Sequence, residues 1–335
     1  MTFDQLLAEV RQDGTVTLPS DWAQGRATFG GLVAALVFDV MAAKVAEGRA
    51  MRALQVSFVG PVEPGVPAQF EAELLREGTA VSQVQGRILQ NGEPRLVCLA
   101  SFGGDRESAI QVEPLPAPEA RPVDQCQGLP YIKGMTPEFT QHIEMRWAFG
   151  NLPFSGKGGR EMGGWMQFRE TPEVFTDAHI VALVDAWPPA VLPHLKDRVP
   201  ASSLSWALEI VHPRPVINPG DWLLYRATID QAGAGYGHTH AGIWTASGEL
   251  VALSRQTGRD GRVLLGASPR ASLALLRAAQ ARALIQGRDY VLPDDIQVLA
   301  ETILAHRLLL HPDAELDGAS VSQIIKSALG SVRYG

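Results

Sequence analysis

Pro61-Val62-Glu63-Pro64-Gly65, entered from an apolar stretch, is answered later in the chain by Pro215-Val216-Ile217-Asn218-Pro219-Gly220. The next residues match as well: Ala68-Gln69-Phe70-Glu71-Ala72 after the first, Trp222-Leu223-Leu224-Tyr225-Arg226-Ala227 after the second. Asn91-Gly92-Glu93 then leads into Leu96-Val97-Cys98-Leu99-Ala100-Ser101, as Ser247-Gly248-Glu249 leads into Leu250-Val251-Ala252-Leu253-Ser254. Gly65 and Gly220 lie 155 residues apart, and Gly92 and Gly248 lie 156 apart. Solenoid units repeat every ~20–50 residues, so this spacing marks a duplicated domain. Duplication also supplies an interface between copies, where sites tend to lie.

Each copy reads as one long helix followed by four strands. In the first, Leu32, Ala35, Leu36, Val40 and Ala43 fall at helical spacing behind Phe29-Gly30-Gly31, and Gly48 is a natural stop. This predicts a helix over 32–47, then strands near 51–59, 68–77, 81–90 and 95–102, with Asn91-Gly92 turning a hairpin. The second copy predicts a helix over 172–187, stopped by Pro188-Pro189, and strands near 202–212, 222–230, 237–245 and 250–257. The fold class expected is α+β, two long helices each wrapped by an antiparallel sheet. Residues 1–103 and 139–265 are read as the two copies, joined by a proline-rich linker over 104–138. Residues 266–335 read as a separate small all-α bundle: helices at about 268–286, 293–310 and 320–329, with only a brief strand-like 289–291. Seven cations there balance seven acids, so the whole net charge of −7 sits in residues 1–266.

That charge argues against a broad nucleic-acid surface. No apolar run approaches the roughly 20 residues of a membrane span, and no secretory signal is visible, so a cytoplasmic location is expected. Cys98 and Cys126 make neither a disulfide framework nor a metal site, and Cys98 reads as a small core residue. His238 and His240 share a strand face, but no third ligand has suitable spacing. They read as hydrogen-bonded strand histidines, with neither a metal nor any other cofactor expected. Gly150-Asn151-Leu152-Pro153-Phe154-Ser155-Gly156-Lys157-Gly158 approaches a phosphate loop, yet its spacing is one residue too long and no Ser or Thr follows the Lys.

Asp185 stands out on the residues alone. It lies in Ile180-Val181-Ala182-Leu183-Val184-Asp185-Ala186-Trp187, the most apolar run of its helix, in the last turn before Pro188. The macrodipole disfavours a carboxylate there by roughly 0.3–1 kcal/mol. A charge placed at a cost in apolar surroundings is a candidate base with a raised pKa.

One helix wrapped by an antiparallel sheet, present twice, is the double hotdog plan. Phe29-Gly30-Gly31, Ser203-Leu204-Ser205 before Pro213-Arg214-Pro215, Asp221-Trp222-Leu223-Leu224-Tyr225, and Gly248-Glu249-Leu250-Val251-Ala252 through Gln256 carry a closer resemblance. Over about residues 10–258 the chain resembles the TesB-like acyl-CoA thioesterase II family. The resemblance implies an Asp, a Thr or Ser, and a Gln that together activate a water, falling here on Asp185, Ser203 and Gln256. Serine stands where other members carry threonine, which keeps the hydroxyl. Arg255 and Thr257 depart from the small or acidic residues frequent beside the Gln. Without the resemblance, Ser203 would read as a strand-edge serine and Gln256 as a strand-end amide. A hydroxyl and an amide can orient a water that a carboxylate about 3 Å away deprotonates. Gly30 and Gly31 suit oxyanion or substrate contacts through free N–H groups, and equally suit tight helix packing.

Residues 266–335 resemble the C-terminal lid of MoxR-type AAA+ ATPases, through Gly266-Ala267-Ser268-Pro269-Arg270, Gly287-Arg288-Asp289-Tyr290-Val291 and Pro293-Asp294-Asp295. Arg270 falls on that family's sensor-2 arginine, but no nucleotide-binding core accompanies it. The expected activity is hydrolysis of acyl-CoA, with Arg26, Arg52 and Arg255 as candidates for coenzyme A phosphates. A homodimer is expected, and 266–335 is a candidate surface for a protein partner. Two rival readings stand: an enoyl-CoA hydratase, disfavoured by Ala190 at that chemistry's histidine position, and a non-catalytic acyl-CoA-binding module.

Overall fold

The computed structural model describes residues 1–197, 201–260, 263–265, 269–305, 309–310 and 320–331. They form two compact units, Met1–Lys196 with Ser203–Gly258, and Asp197–Ser202 with Arg259–Gly335.

The first unit opens with a helix that sequence periodicity did not predict, α1 (Phe3–Asp13). Its signal is local: Thr2 and Gln5 form a reciprocal capping box, and Gly14 closes the helix in the left-handed conformation. After β1 (Thr15–Thr17) and the small hairpin of β2 (Ala23–Gln24) and β3 (Ala27–Thr28) comes α2 (Gly30–Ala42), nine of whose thirteen residues are buried. It ends earlier than the predicted 47, because Lys44 and Val45 donate to carbonyls three residues back and tighten the turn. β4 (Ala50–Phe58), β5 (Pro67–Glu77), β6 (Val81–Gln90) and β7 (Glu93–Gly103) come next.

The second copy holds two strands the periodicity did not predict, β9 (Ile143–Phe149) and β10 (Glu161–Phe168), preceded by the short β8 (Gln127–Gly128). Its helix, α3, spans only Asp177–Val184, shorter than the predicted 172–187. Thr176 starts it, its backbone N–H donating to His179 Nδ1, so Pro172–Phe175 stay outside. Pro188 ends it, since a proline disfavours helical backbone in the residue before it and clashes with a carbonyl four back. β11 (Ala201–Ile210), β12 (Leu223–Gly233), β13 (Tyr236–Thr245) and β14 (Leu250–Asp260) complete the copy.

Twelve strands make one sheet in the order β1-β5-β6-β7-β4-β11-β14-β13-β12-β10-β9-β8. The copies join where β4 pairs antiparallel with β11, Ser57 opposite Ser205 and Val56 opposite Trp206. The sheet encloses α2 and α3 in one continuous apolar core. A second, smaller cluster of Cys126, Trp165, Leu224, Trp244 and Leu250 is covered by Ala117, Ala120 and Val123. Part of the proline-rich connection is therefore a docked strap. Leu115 O accepts from Trp244 Nε1 at 2.9 Å, and Arg121 O accepts from Trp165 Nε1 at 2.9 Å.

The second unit contains α4 (Pro269–Ile285), α5 (Pro293–Leu304) and α6 (Val321–Ser331). It also has a two-stranded ladder, β15 (Val263–Leu265) with β16 (Leu309–Leu310), while the strand-like 289–291 is not a strand. Runs of two and three apolar residues are too short to show a period, so pairing alone reveals them. Asp295 receives both Arg288 guanidinium nitrogens at 2.8 Å and the Leu292 N–H at 2.9 Å. These donors hold its carboxyl down at about 2. Arg270 lies in α4, and its side chain is outside the described residues. Among the described residues no helix is long and apolar enough to cross a membrane.

Candidate active site

Asp185 caps the C-terminal end of α3, with φ −91° and ψ 1°. That is the bridge region of backbone space, where turn and active-site residues recur. Its carboxylate meets the N-terminal turn of α2. A Cβ built on Gly30 would lie 2.6 Å from Asp185 Oδ2, and one on Gly31 would collide with the Ala182 carbonyl. The two helices thus touch end to end through a pair of glycines, and only glycine permits it. The carboxylate's unfavourable place at the end of α3 is offset by the positive N-terminal end of α2.

The Gly31 N–H lies close enough to the Asp185 carboxylate to favour its charged form. Burial pushes the Asp185 carboxyl up to about 7, against the lowering effect of the Gln256 and Gly31 donors.

Gln256 on β14 joins the other two expected residues. Its Nε2 donates to Asp185 Oδ1 at 3.1 Å and to Ser203 Oγ, on β11, at 2.7 Å. The amide orientation is dictated by chemistry: an ionised carboxylate only accepts, so the nitrogen must face it. Ser203 Oγ accepts from the amide, which leaves its own hydrogen free to point into the site. Residues 71 and 53 positions away from Gln256 in sequence are thereby brought within hydrogen-bond distance of one atom.

An aromatic wall that sequence reasoning did not assign stands behind Asp185. The strand register places Trp147, Gly164 and Tyr225 in a row across β9, β10 and β12. Trp187, two residues beyond Asp185, stacks on Tyr225 at 6.0 Å between centroids and meets Trp147 edge-on at 4.7 Å. All three rings are buried. Burial, reinforced by the Asp185 charge, pushes the Tyr225 hydroxyl up. Trp187 and Tyr225 each sit in a conspicuously apolar stretch of sequence, 180–187 and 222–227. Only the register across three strands, which sequence does not reveal, makes them neighbours.

Arg52, Arg255 and the two strand histidines have partners of their own. Arg52 donates to Gly103 O and to Asp105, and Arg255 pairs with Asp230 at 2.5 Å. Both guanidinium groups therefore face carboxylates of this chain. His240 Nδ1 meets Asp230 at 2.7 Å and His238 Nδ1 meets Thr257 Oγ1 at 3.2 Å. Among the described residues no group of three or more His, Cys, Asp or Glu is arranged to hold a metal. Cys98 and Cys126 are both buried.

Comparison with known proteins adds to this geometry. Residues 18–103 match the family model described as acyl-CoA thioesterase N-terminal domain, and residues 115–259 its C-terminal domain. Residues 255–328 match the AAA lid domain. An acyl-CoA thioesterase II, TesB2, from Mycobacterium marinum superposes with a TM-score of 0.60 at 22% identity, over 73% of this chain and 91% of that one. A hotdog-fold protein from Alicyclobacillus acidocaldarius gives 0.62 at 21% identity, over 73% and 92%. The fold is therefore that of the hotdog proteins. Chaperone MoxR1 of Mycobacterium tuberculosis is 46% identical over 70 residues, 21% of this chain and 19% of that protein. The chain spans between 15% and 28% of the length of the curated relatives it matches.

Proposed function

We propose that this chain, which carries in order the two domains of the acyl-CoA thioesterase family and an AAA lid domain, hydrolyses acyl-CoA to free fatty acid and coenzyme A. The observation that carries the reading is the hydrogen-bonded set of Asp185, Gln256 and Ser203, with the acid raised to about 7. A general base works best when its pKa lies near the working pH, and a carboxylate at its ordinary value is a weaker base.

In this reading a water sits between Asp185 and the free hydrogen of Ser203. Asp185 takes one proton as the water oxygen bonds to the thioester carbonyl carbon. The carbonyl electron pair moves to oxygen, where the Gly30 N–H, at the first position of α2, stabilises the developing charge. Gly31 leaves that role and holds the base. Collapse of the tetrahedral intermediate returns the pair to the carbonyl and breaks the carbon–sulfur bond. The electrons of that bond leave with sulfur, which takes the proton from Asp185. Gln256 keeps the base and the hydroxyl in register by donating to both.

Replacing Asp185→Asn preserves the shape and removes the base. Hydrolysis of acyl-CoA, monitored by release of free thiol, is expected to fall by about 10²–10⁴ with an unchanged circular dichroism spectrum. Full activity in this variant would exclude Asp185 as the base.

A further inference from the structure

The near-phosphate loop of the sequence has no place in the hydrolytic site, yet it forms one side of a cleft of about 250 Å³. Arg121 and Lys157 contribute cations, Trp147 an indole, and Asn151, Ser155 and Gln127 polar groups. None of the lining residues is acidic, in a chain whose net charge is −7. Lys157 is exposed, and among the described residues it makes no ion pair.

The loop between β9 and β10 is pinned by its own backbone. Phe154, Gly156 and Gly158 donate N–H bonds of 2.9–3.1 Å to the carbonyls of Leu192, Leu195 and Pro193. Arg121 is steadied by donating to Trp147 O at 3.2 Å. The cations are therefore mounted on a preformed surface. Trp147 also touches Trp187, two residues from Asp185. Trp147 and Tyr225 stand two strands apart, about 10 Å at ~4.8 Å per strand. Ring contact thus links the indole of the cleft to the segment that carries the acid.

We propose that this cleft seats the phosphorylated nucleotide end of the substrate, while the thioester lies at Asp185. A nucleoside phosphate combines a flat apolar body with concentrated negative charge, matching a cleft lined by an indole and two cations. The proposal rests on the thioesterase reading for the identity of its ligand, and one part of its test does not depend on that reading.

Adenosine 3′,5′-bisphosphate is titrated calorimetrically into the full chain, alongside inorganic phosphate and a hexaglutamate peptide. The bisphosphate is expected to bind more tightly than either, and Lys157→Glu to weaken it at least tenfold. Arg121→Gln repeats the test at the other cation, with the melting temperature checking that the chain is folded. Equal binding of the three probes, or a bisphosphate affinity that neither variant changes, overturns the proposal. In parallel, kcat/KM is measured for one acyl group carried by coenzyme A and by pantetheine, which lacks the nucleotide. Lys157→Glu is expected to lower the ratio of the two at least tenfold. An unmoved ratio in a chain that hydrolyses both carriers overturns the cleft and leaves the thioesterase reading standing. Bisphosphate binding lost in Lys157→Glu, with neither carrier hydrolysed by the parent chain, sinks the thioesterase reading and keeps the cleft.

Discussion

At Asp185 stability and reactivity pull in opposite directions. The unfolded chain releases this proton near 3.8 and the folded chain near 7. Between those values the folded state binds more protons, so stability falls as pH rises through the window. At 1.36 kcal/mol per unit, the ionised acid costs the fold up to about 4 kcal/mol above pH 7. Asp185→Asn is therefore expected to melt higher than the parent at pH 8, the gap closing below pH 4. Equal melting temperatures at pH 8 would show that the carboxylate is not destabilised. As the proposed base, the same group should also set the rate: kcat/KM is expected to rise about tenfold per pH unit up to about 7 and then level, as it must for a base that works ionised. Ser203 should behave as a hydroxyl and nothing more. Ser203→Thr keeps the group on a strand that tolerates β-branching, and should retain most activity, whereas Ser203→Ala loses it. A drop in the threonine variant as large as that in alanine would assign Ser203 to packing.

Among the elements, the meeting of α2 and α3 carries the site. Gly30 and Gly31 are adjacent in sequence and meet different neighbours. A methyl group at Gly30 would press on Asp185 Oδ2, and on the Phe58 ring at 3.2 Å. Gly30→Ala is thus expected to lower kcat by about 10², the usual consequence of misplacing a reacting group by an ångström. A methyl group at Gly31 would strike the Ala182 carbonyl and the Phe29 ring. Gly31→Ala should cost about 1–3 kcal/mol of stability, read as a lower melting temperature. Identical effects of the two variants on kcat and melting would refute this division. Both glycines were readable as a helix entrance or a packing pair. The choice between them needed α3, which sequence places 147 residues beyond Gly30 at its first residue, Asp177.

For the whole molecule, every residue proposed for hydrolysis lies in the first compact unit, which ends at Gly258. A chain truncated after Gly266 is expected to keep the kcat of the full chain on the same acyl-CoA. Loss of activity from a truncated chain that still melts cooperatively would give residues 267–335 a part in the reaction. The lid-like helices show their own consistency, with Arg288 and Asp295 paired from within the segment.

Amino-acid order alone determined the duplication, the two hotdog helices, the hairpins and the change of character near Gly258. These rest on local signals: period, turn residues and caps, each contained within a few residues. It also brought forward Asp185, because a carboxylate in an apolar run is conspicuous without any partner. Strands β9 and β10, the docked strap and the early end of α3 escaped, since pairing partners and packing surfaces far along the chain decide them. Tertiary structure alone decided that Gln256 reaches both Asp185 and Ser203, that the first turn of α2 packs against Asp185, and that Trp187 lies against Trp147 and Tyr225. Hydrogen bonds and ring contacts depend on distance in space, and strand register and helix ends set those distances.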